Sequence, residues 1–102
     1  MEEKAKKIAE LLRLLANEKR LLILCALIRE PMTVGKIAEF VPGITQSALS
    51  QHLTLLKTAG ILESDKLAQN VTYSIADGRV TEVIATLKKY YCEEKPINKG
   101  EV

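Results

Sequence analysis

The 102-residue chain contains no tryptophan, one phenylalanine, one histidine, two cysteines and three prolines. So few aromatics, with Leu, Ile and Ala dominating, favour a mainly helical core of aliphatic side chains. No apolar run approaches the roughly 18 residues that a membrane-spanning helix needs. The opening Met1-Glu2-Glu3-Lys4 is charged and lacks the apolar stretch of a signal peptide, so a cytoplasmic location is expected. In a reducing compartment Cys25 and Cys92 are not expected to hold a standing structural disulfide, and any bond between them would be a switch. One His and two Cys fall short of the about four converging ligands of a regulatory metal site. No Gly-rich phosphate loop and no Ser-His-Asp pattern is present. These absences point away from an enzyme, a cofactor or a bound metal. The net charge of +2 neither demands nor forbids a nucleic-acid partner; a positive footprint must come from arrangement, or from doubling in a dimer.

What is present fits a single domain over 1–102. Apolar residues make up 47%, too many for a disordered chain. Ile8, Leu11, Leu12 and Leu15 recur at helical spacing within 3–16, with Lys4, Lys6, Lys7 and Glu10 outside. Asn17 interrupts and caps a second helix to about Arg29, striped by Leu21, Leu24, Leu27 and Ile28. Pro31 ends it. Met32-Thr33 reads as an extended link, and Thr33 caps a third helix through Phe40. Pro42-Gly43 is a turn. Ile61–Lys66 and Val71–Ala76 read as two strands joined as a hairpin by Leu67-Ala68-Gln69-Asn70. Asp77 caps a last helix with Val80, Val83, Ile84, Leu87 and Tyr91 on one face. Residues 93–102 are charged, contain Pro96 and Gly100, and read as a frayed tail.

The segment 43–61 is the most informative. Thr45 is placed to cap a helix, and Gly60 to stop it. Ala48, Leu49, Leu53, Leu55, Leu56 and Ala59 fall on one side. Gln46, Ser47, Ser50, Thr54 and Lys57 fall on the other, with Gln51 near that edge. The wet face is neutral, with a single Lys near its end. Short donors and acceptors at a helix N-terminus suit base edges and phosphates in a major groove; an ordinary polar surface has the same periodicity. Taken as a recognition helix, it completes a helix-turn-helix with a wing behind it. The architecture is then mainly α: a winged helix-turn-helix with a two-stranded β-hairpin wing and five helices. The first and last helices keep apolar faces that a core this small does not consume, so a homodimer through the terminal helices is expected.

With these residues in place the chain resembles the ArsR/SmtB family of winged-helix repressors over 8–92. The resemblance rests on Leu-Ala-Asn-Glu-Lys-Arg-Leu-Leu-Ile-Leu at 15–24, Ser-Ala-Leu-Ser-Gln-His-Leu at 47–53, Leu-Lys-Thr-Ala-Gly-Ile at 56–61 and Val-Thr-Tyr-Ser-Ile at 71–75. It implies a homodimer on double-stranded operator DNA, released by an inducer. It assigns Gln46, Ser47, Ser50 and Gln51 to DNA, with Thr54 and Lys57 on the same face and Lys66, Gln69 and Asn70 from the wing. Three positions depart from the family's habit. Glu18 stands where Pro is common, the wing is poor in basic residues, and Leu67 precedes Ala-Gln where one branch often has Glu.

The family's metal sensors are poorly matched. Val34-Gly35-Lys36-Ile37 lacks the Cys-x-Cys of arsenic and cadmium sensors, and the last helix offers Asp77 and Glu82 without His. His52 falls among apolar residues and reads as a boundary histidine bonded to backbone or phosphate. Cys25 and Cys92 instead resemble the sulfide- and redox-responsive branch. There, two cysteines at these positions join through a disulfide or polysulfide bridge, with an oxidant or reactive sulfur species as inducer, and DNA is released. Two other readings stay open. One is a regulator with structural cysteines, constitutive or metal-responsive, since Cys25 sits in an apolar stretch where a thiol is inert. The other is a winged helix that binds protein partners.

Overall fold

The computed structural model describes residues 1–91; Cys92 and the tail expected to fray lie outside the described residues. The order is α1 (Glu2–Leu15), α2 (Glu18–Arg29), β1 (Met32–Thr33), α3 (Val34–Ala38), α4 (Gln46–Thr58), β2 (Leu62–Leu67), β3 (Asn70–Ile75) and α5 (Gly78–Tyr91). Local chemistry sets most boundaries. Asn17 accepts from the Arg20 N–H, Thr33 from Lys36 and Thr45 from Ala48, so α2, α3 and α4 each begin on a side-chain cap. Gly60 lies at φ +83. Its N–H bonds to the Lys57 carbonyl, and Ile61 N–H bonds to that of Leu56. This paired closure ends α4 and turns Ile61 back onto Leu56, both buried.

Three expectations are corrected. Met32-Thr33 is not a mere link: as β1 it pairs antiparallel with β3, Met32 opposite Tyr73 and Thr33 opposite Thr72. The wing hairpin is therefore part of a three-stranded sheet in the order β1-β3-β2. The third helix stops at Ala38 rather than Phe40, where tight backbone bonds from Glu39, Phe40 and Val41 take over. In α4 the buried stripe is narrower than the apolar residues suggest. Leu49, Leu53 and Leu56 are buried, whereas Leu55 is 42% exposed and Ala59 is exposed too.

The core gathers Ile23, Leu24 and Leu27 of α2, Ile37 of α3, the α4 stripe, Met32 of β1, Leu62 of β2, and Val80 and Ile84 of α5. No polar or charged residue is buried among the described residues. Of α1 only Leu15 is buried. Ile8 and Leu12 of α1, with Leu87, Tyr90 and Tyr91 of α5, stay exposed, so the terminal helices leave apolar faces open as expected.

The hairpin turn is Ala68-Gln69, closed by the Leu67–Asn70 pair. Ala68 has φ +58, the one non-glycine residue at positive φ among the described residues. A positive φ at the first central position is the signature of a turn that normally takes Gly there. We expect Ala68→Gly to stabilise the protein by about 0.5–1 kcal/mol, because the left-handed conformation penalises Cβ by more than glycine's extra chain entropy. An unchanged or lower urea midpoint would refute this.

Candidate nucleic-acid interface

α4 reads Gln-Ser-Ala-Leu-Ser-Gln-His-Leu-Thr-Leu-Leu-Lys-Thr, without one acidic residue. Gln46, Ser47, Ser50, Gln51 and Thr54 all stand on its exposed side. The Thr45 hydroxyl satisfies one orphan N–H, accepting from Ala48 at 3.1 Å. The remaining first-turn N–H groups and the positive end of the helix dipole face outward. Chemically this combination can take a phosphate and can present short hydrogen-bonding groups to base edges. Leu55, expected on the core side, instead lies beside Ser50, Gln51, Thr54 and Thr58, which together line a shallow concavity. Its place was readable from the spacing to Gln51, four residues earlier on the same row.

Lys57 does not simply extend this face. Its Nζ donates to Ser64 Oγ at 2.7 Å and ties α4 to β2. Across the turn before α4, Lys19 Nζ donates to the Pro42 carbonyl at 2.9 Å.

The sheet register sorts the wing's charges. Successive residues of a strand point to opposite faces. Lys66 therefore shares a face with Ser64, which meets α4, while Glu63, Asp65 and Leu67 take the other face. Gln69 sits in the turn and Asn70 opposite Leu67; Lys66, Gln69 and Asn70 are all exposed. Glu63 and Asp65 lie close to Lys66 in sequence, but the pleat keeps the lysine on the α4 side. Leu67, 78% exposed at the tip, was not among the residues assigned to DNA.

His52 sits at the edge of the buried stripe. Its Nδ1 lies 3.4 Å from Arg20 Nη1 of α2. Burial, then the neighbouring guanidinium, lowers its pKa from the ordinary histidine value. At the start of α5, Arg79 donates to both Asp77 oxygens, at 2.9 and 2.8 Å, and so holds that carboxyl below its usual range. Asp77 also caps the helix, accepting from Arg79 N–H at 3.0 Å. Cys25 of α2 is half-buried and packs against the core. Its expected partner Cys92 lies outside the described residues. Among the described residues no three His, Cys, Asp or Glu side chains cluster as a metal site, and no helix is long and apolar enough to cross a membrane.

A helix-turn-helix backed by a sheet-borne wing, with an acid-free outer helix, is a winged helix-turn-helix of the nucleic-acid-binding class. Residues 17–64 match the profile described as "Bacterial regulatory protein, arsR family". The chain is 39% identical over 93 residues to the transcriptional activator HlyU of Vibrio cholerae, covering 91% of this chain and 85% of that protein. The solved HlyU structure superposes with a TM-score of 0.85, covering 91% of this chain and 100% of that one. Its reduced form gives 0.84. The transcriptional repressor BigR from Xylella fastidiosa is 29% identical with a TM-score of 0.83, covering 92% and 95%. The homodimeric winged helix-turn-helix DNA-binding domain of Mb0332 from Mycobacterium bovis, a possible ArsR-family regulator, is 28% identical with a TM-score of 0.73, covering 84% and 79%. The chain belongs to the arsR family of bacterial regulatory proteins. It is a DNA-binding transcriptional regulator and not an enzyme.

The His52 environment generates a prediction. The unfolded chain takes up the imidazole proton near 6.5, and the folded chain only at lower pH. Stability is therefore level above that value and falls as pH drops below it, until the folded-state pKa is passed. Urea midpoints at about pH 7.5 and about pH 5.5 check this; His52→Gln should lose this part of the drop. An equal drop in the variant would assign the effect elsewhere.

Proposed function

We propose that this protein is a homodimeric repressor that holds its operator while its thiols are reduced. The acid-free exposed face of α4, on a capped helix in an arsR-family fold, carries the DNA part of this reading. Ser47, Ser50 and Gln51 read base edges, with Thr54 beside them. Gln46 and the first-turn amides take phosphate, and Lys66, Gln69 and Asn70 extend from the wing. Lys57 supports the wing root through Ser64. The exposed residues Ile8, Leu12, Leu87 and Tyr90 supply the apolar faces for a two-fold dimer, and the homodimeric Mb0332 domain supports that assembly. Such a dimer sets two recognition helices into successive major grooves about 34 Å apart.

We assign the release signal to Cys25 and Cys92 of one chain, bridged by polysulfide or another oxidant. One thiolate attacks a polysulfide sulfur and expels a shorter polysulfide, leaving a persulfide on the cysteine. The second thiolate attacks the Sγ of that cysteine and expels the outer sulfur as hydrosulfide, so the new Sγ–Sγ bond replaces the broken S–S bond and the two electrons leave with the displaced sulfur. A longer cysteine-bound chain attacked further out gives a bridge that keeps extra sulfur. The likeness to HlyU, whose reduced form is a defined state, supports a thiol-responsive member. The half-burial of Cys25 against the core favours the competing reading, a structural thiol. The operating site is expected in the cytoplasm, where thiols rest reduced.

Two measurements test this. Ser50→Ala and Gln51→Ala should each weaken operator binding by about 1–3 kcal/mol per lost base contact and spare sequence-independent binding; if the double variant binds as tightly as the wild type, the recognition face is wrongly assigned. Cys25→Ser and Cys92→Ser should each stay bound under polysulfide, whereas the wild type loses affinity about tenfold or more. Release of either variant to the wild-type extent would make the cysteines structural.

A further inference from the structure

Arg20 stands where three helices meet. Its own N–H is the one that Asn17 caps, at 3.1 Å. Its Nε donates to the Leu14 carbonyl at 2.6 Å, in the last turn of α1, where the helix dipole favours a cation. Its Nη1 lies 3.4 Å from His52 Nδ1, in the middle of α4. Both side-chain contacts are part-buried. One residue thus joins the start of α2 through its backbone N–H, and the end of α1 and the recognition helix through its guanidinium.

The chemistry of the pair is conditional. A guanidinium has donors only, so His52 Nδ1 must be the acceptor and the ring proton must sit on Nε2. Protonating Nδ1 removes the acceptor and leaves two cations facing each other in a space partly shielded from water. Among the described residues no ion pair or hydrogen bond joins either side chain to a carboxylate, and Arg20 is the one charged group that perturbs His52. Glu39, just past the end of α3, pairs with Lys36, and Asp77 pairs with Arg79. Lys19, next to Arg20, is turned to the Pro42 carbonyl. On α4 itself the residues three and four positions from His52 are Leu49, Leu55, Ala48 and Leu56, all uncharged.

We propose that Arg20 and His52 are positioning residues, a brace that seats the recognition helix against the α1–α2 corner only while the imidazole is neutral, so that acid weakens operator binding. The inference rests on the operator-binding reading of α4 given above. It needs neither cysteine and acts in the fully reduced protein. Because His52 adjoins Gln51, loosening its side of α4 turns the base-reading side with it.

The test uses the full-length Cys25→Ser/Cys92→Ser protein, which removes thiol titration, and a duplex enriched by this protein from a random-sequence pool. Affinity is read by fluorescence anisotropy at constant salt between about pH 8 and about pH 5.5. We expect it to fall about fivefold or more on acidification. With His52→Gln, whose carbonyl oxygen accepts from Arg20 but does not titrate, the high-pH affinity should persist at low pH. A histidine that merely contacts phosphate gives the opposite sign, since a proton adds positive charge and tightens binding. Affinity that rises with acid, or an equal fall in His52→Gln, overturns the brace. Should His52→Gln fold poorly, Arg20→Gln removes one of the two cations and must shrink the acid effect. NMR on the DNA-free protein separates the two readings. α4 amides that move with the His52 titration support the brace, and unmoved amides overturn it. Failure to bind any duplex at any pH, with those amides moving, overturns the operator reading and leaves the brace standing.

Discussion

The seating of α4 on a stripe of three leucines governs the rest of this structure. Leu49, Leu53 and Leu56 are buried against a core built mainly from α2, α3, the sheet and α5. Removing a buried leucine side chain to Ala commonly costs about 2–5 kcal/mol, so the stripe fixes which way the helix faces. Caps at Thr45 and Gly60 fix where it starts and stops. With roll and length both set, the outward residues can be short and neutral, because none is needed for stability.

Electrostatics then acts by placement rather than by amount. A net charge of +2 gives the chain little general attraction for a polyanion. The structure compensates by keeping carboxylates off α4, turning Glu63 and Asp65 to the far side of the wing strand, and engaging Glu39 and Asp77 with Lys36 and Arg79. Lys57 and Lys19 are spent internally, tying α4 to the wing and to its own preceding turn.

Much of the fold was legible because its punctuation is local. Asn17, Thr33, Thr45 and Asp77 cap helices through their own next few residues, and Gly60 ends α4 through bonds within the same turn. What stayed hidden depends on residues far apart in sequence. Met32-Thr33 became a strand only because Tyr73 and Thr72 lie alongside. Leu55 is a different case: its exposure follows from local helical spacing, since it shares a row with the exposed Gln51. The neutral face of α4 could be read from residue types at helical spacing. The Arg20–His52 and Lys57–Ser64 contacts could not, since nothing in either residue's neighbourhood names its partner. The cysteine pair was legible only through family resemblance.

The short β1–β3 pairing has a topological consequence. Met32 opposite Tyr73 closes a ring of chain that holds α3, α4 and β2. Closing a ring of roughly 40 residues costs about 3 kcal/mol of chain entropy by the logarithmic rule, a cost that grows only slowly with ring size. The reading head is thus a lasso knotted at its neck by two residues, with the hairpin tip as its most distant point. Lengthening the tip barely changes the closure entropy and leaves the neck intact. Loss of the two-residue pairing at Met32-Thr33 would instead open the neck and release helix and wing together. Variation in reach is therefore cheap at Ala68-Gln69 and dear at Met32-Thr33, although neither pair belongs to the helix that faces DNA.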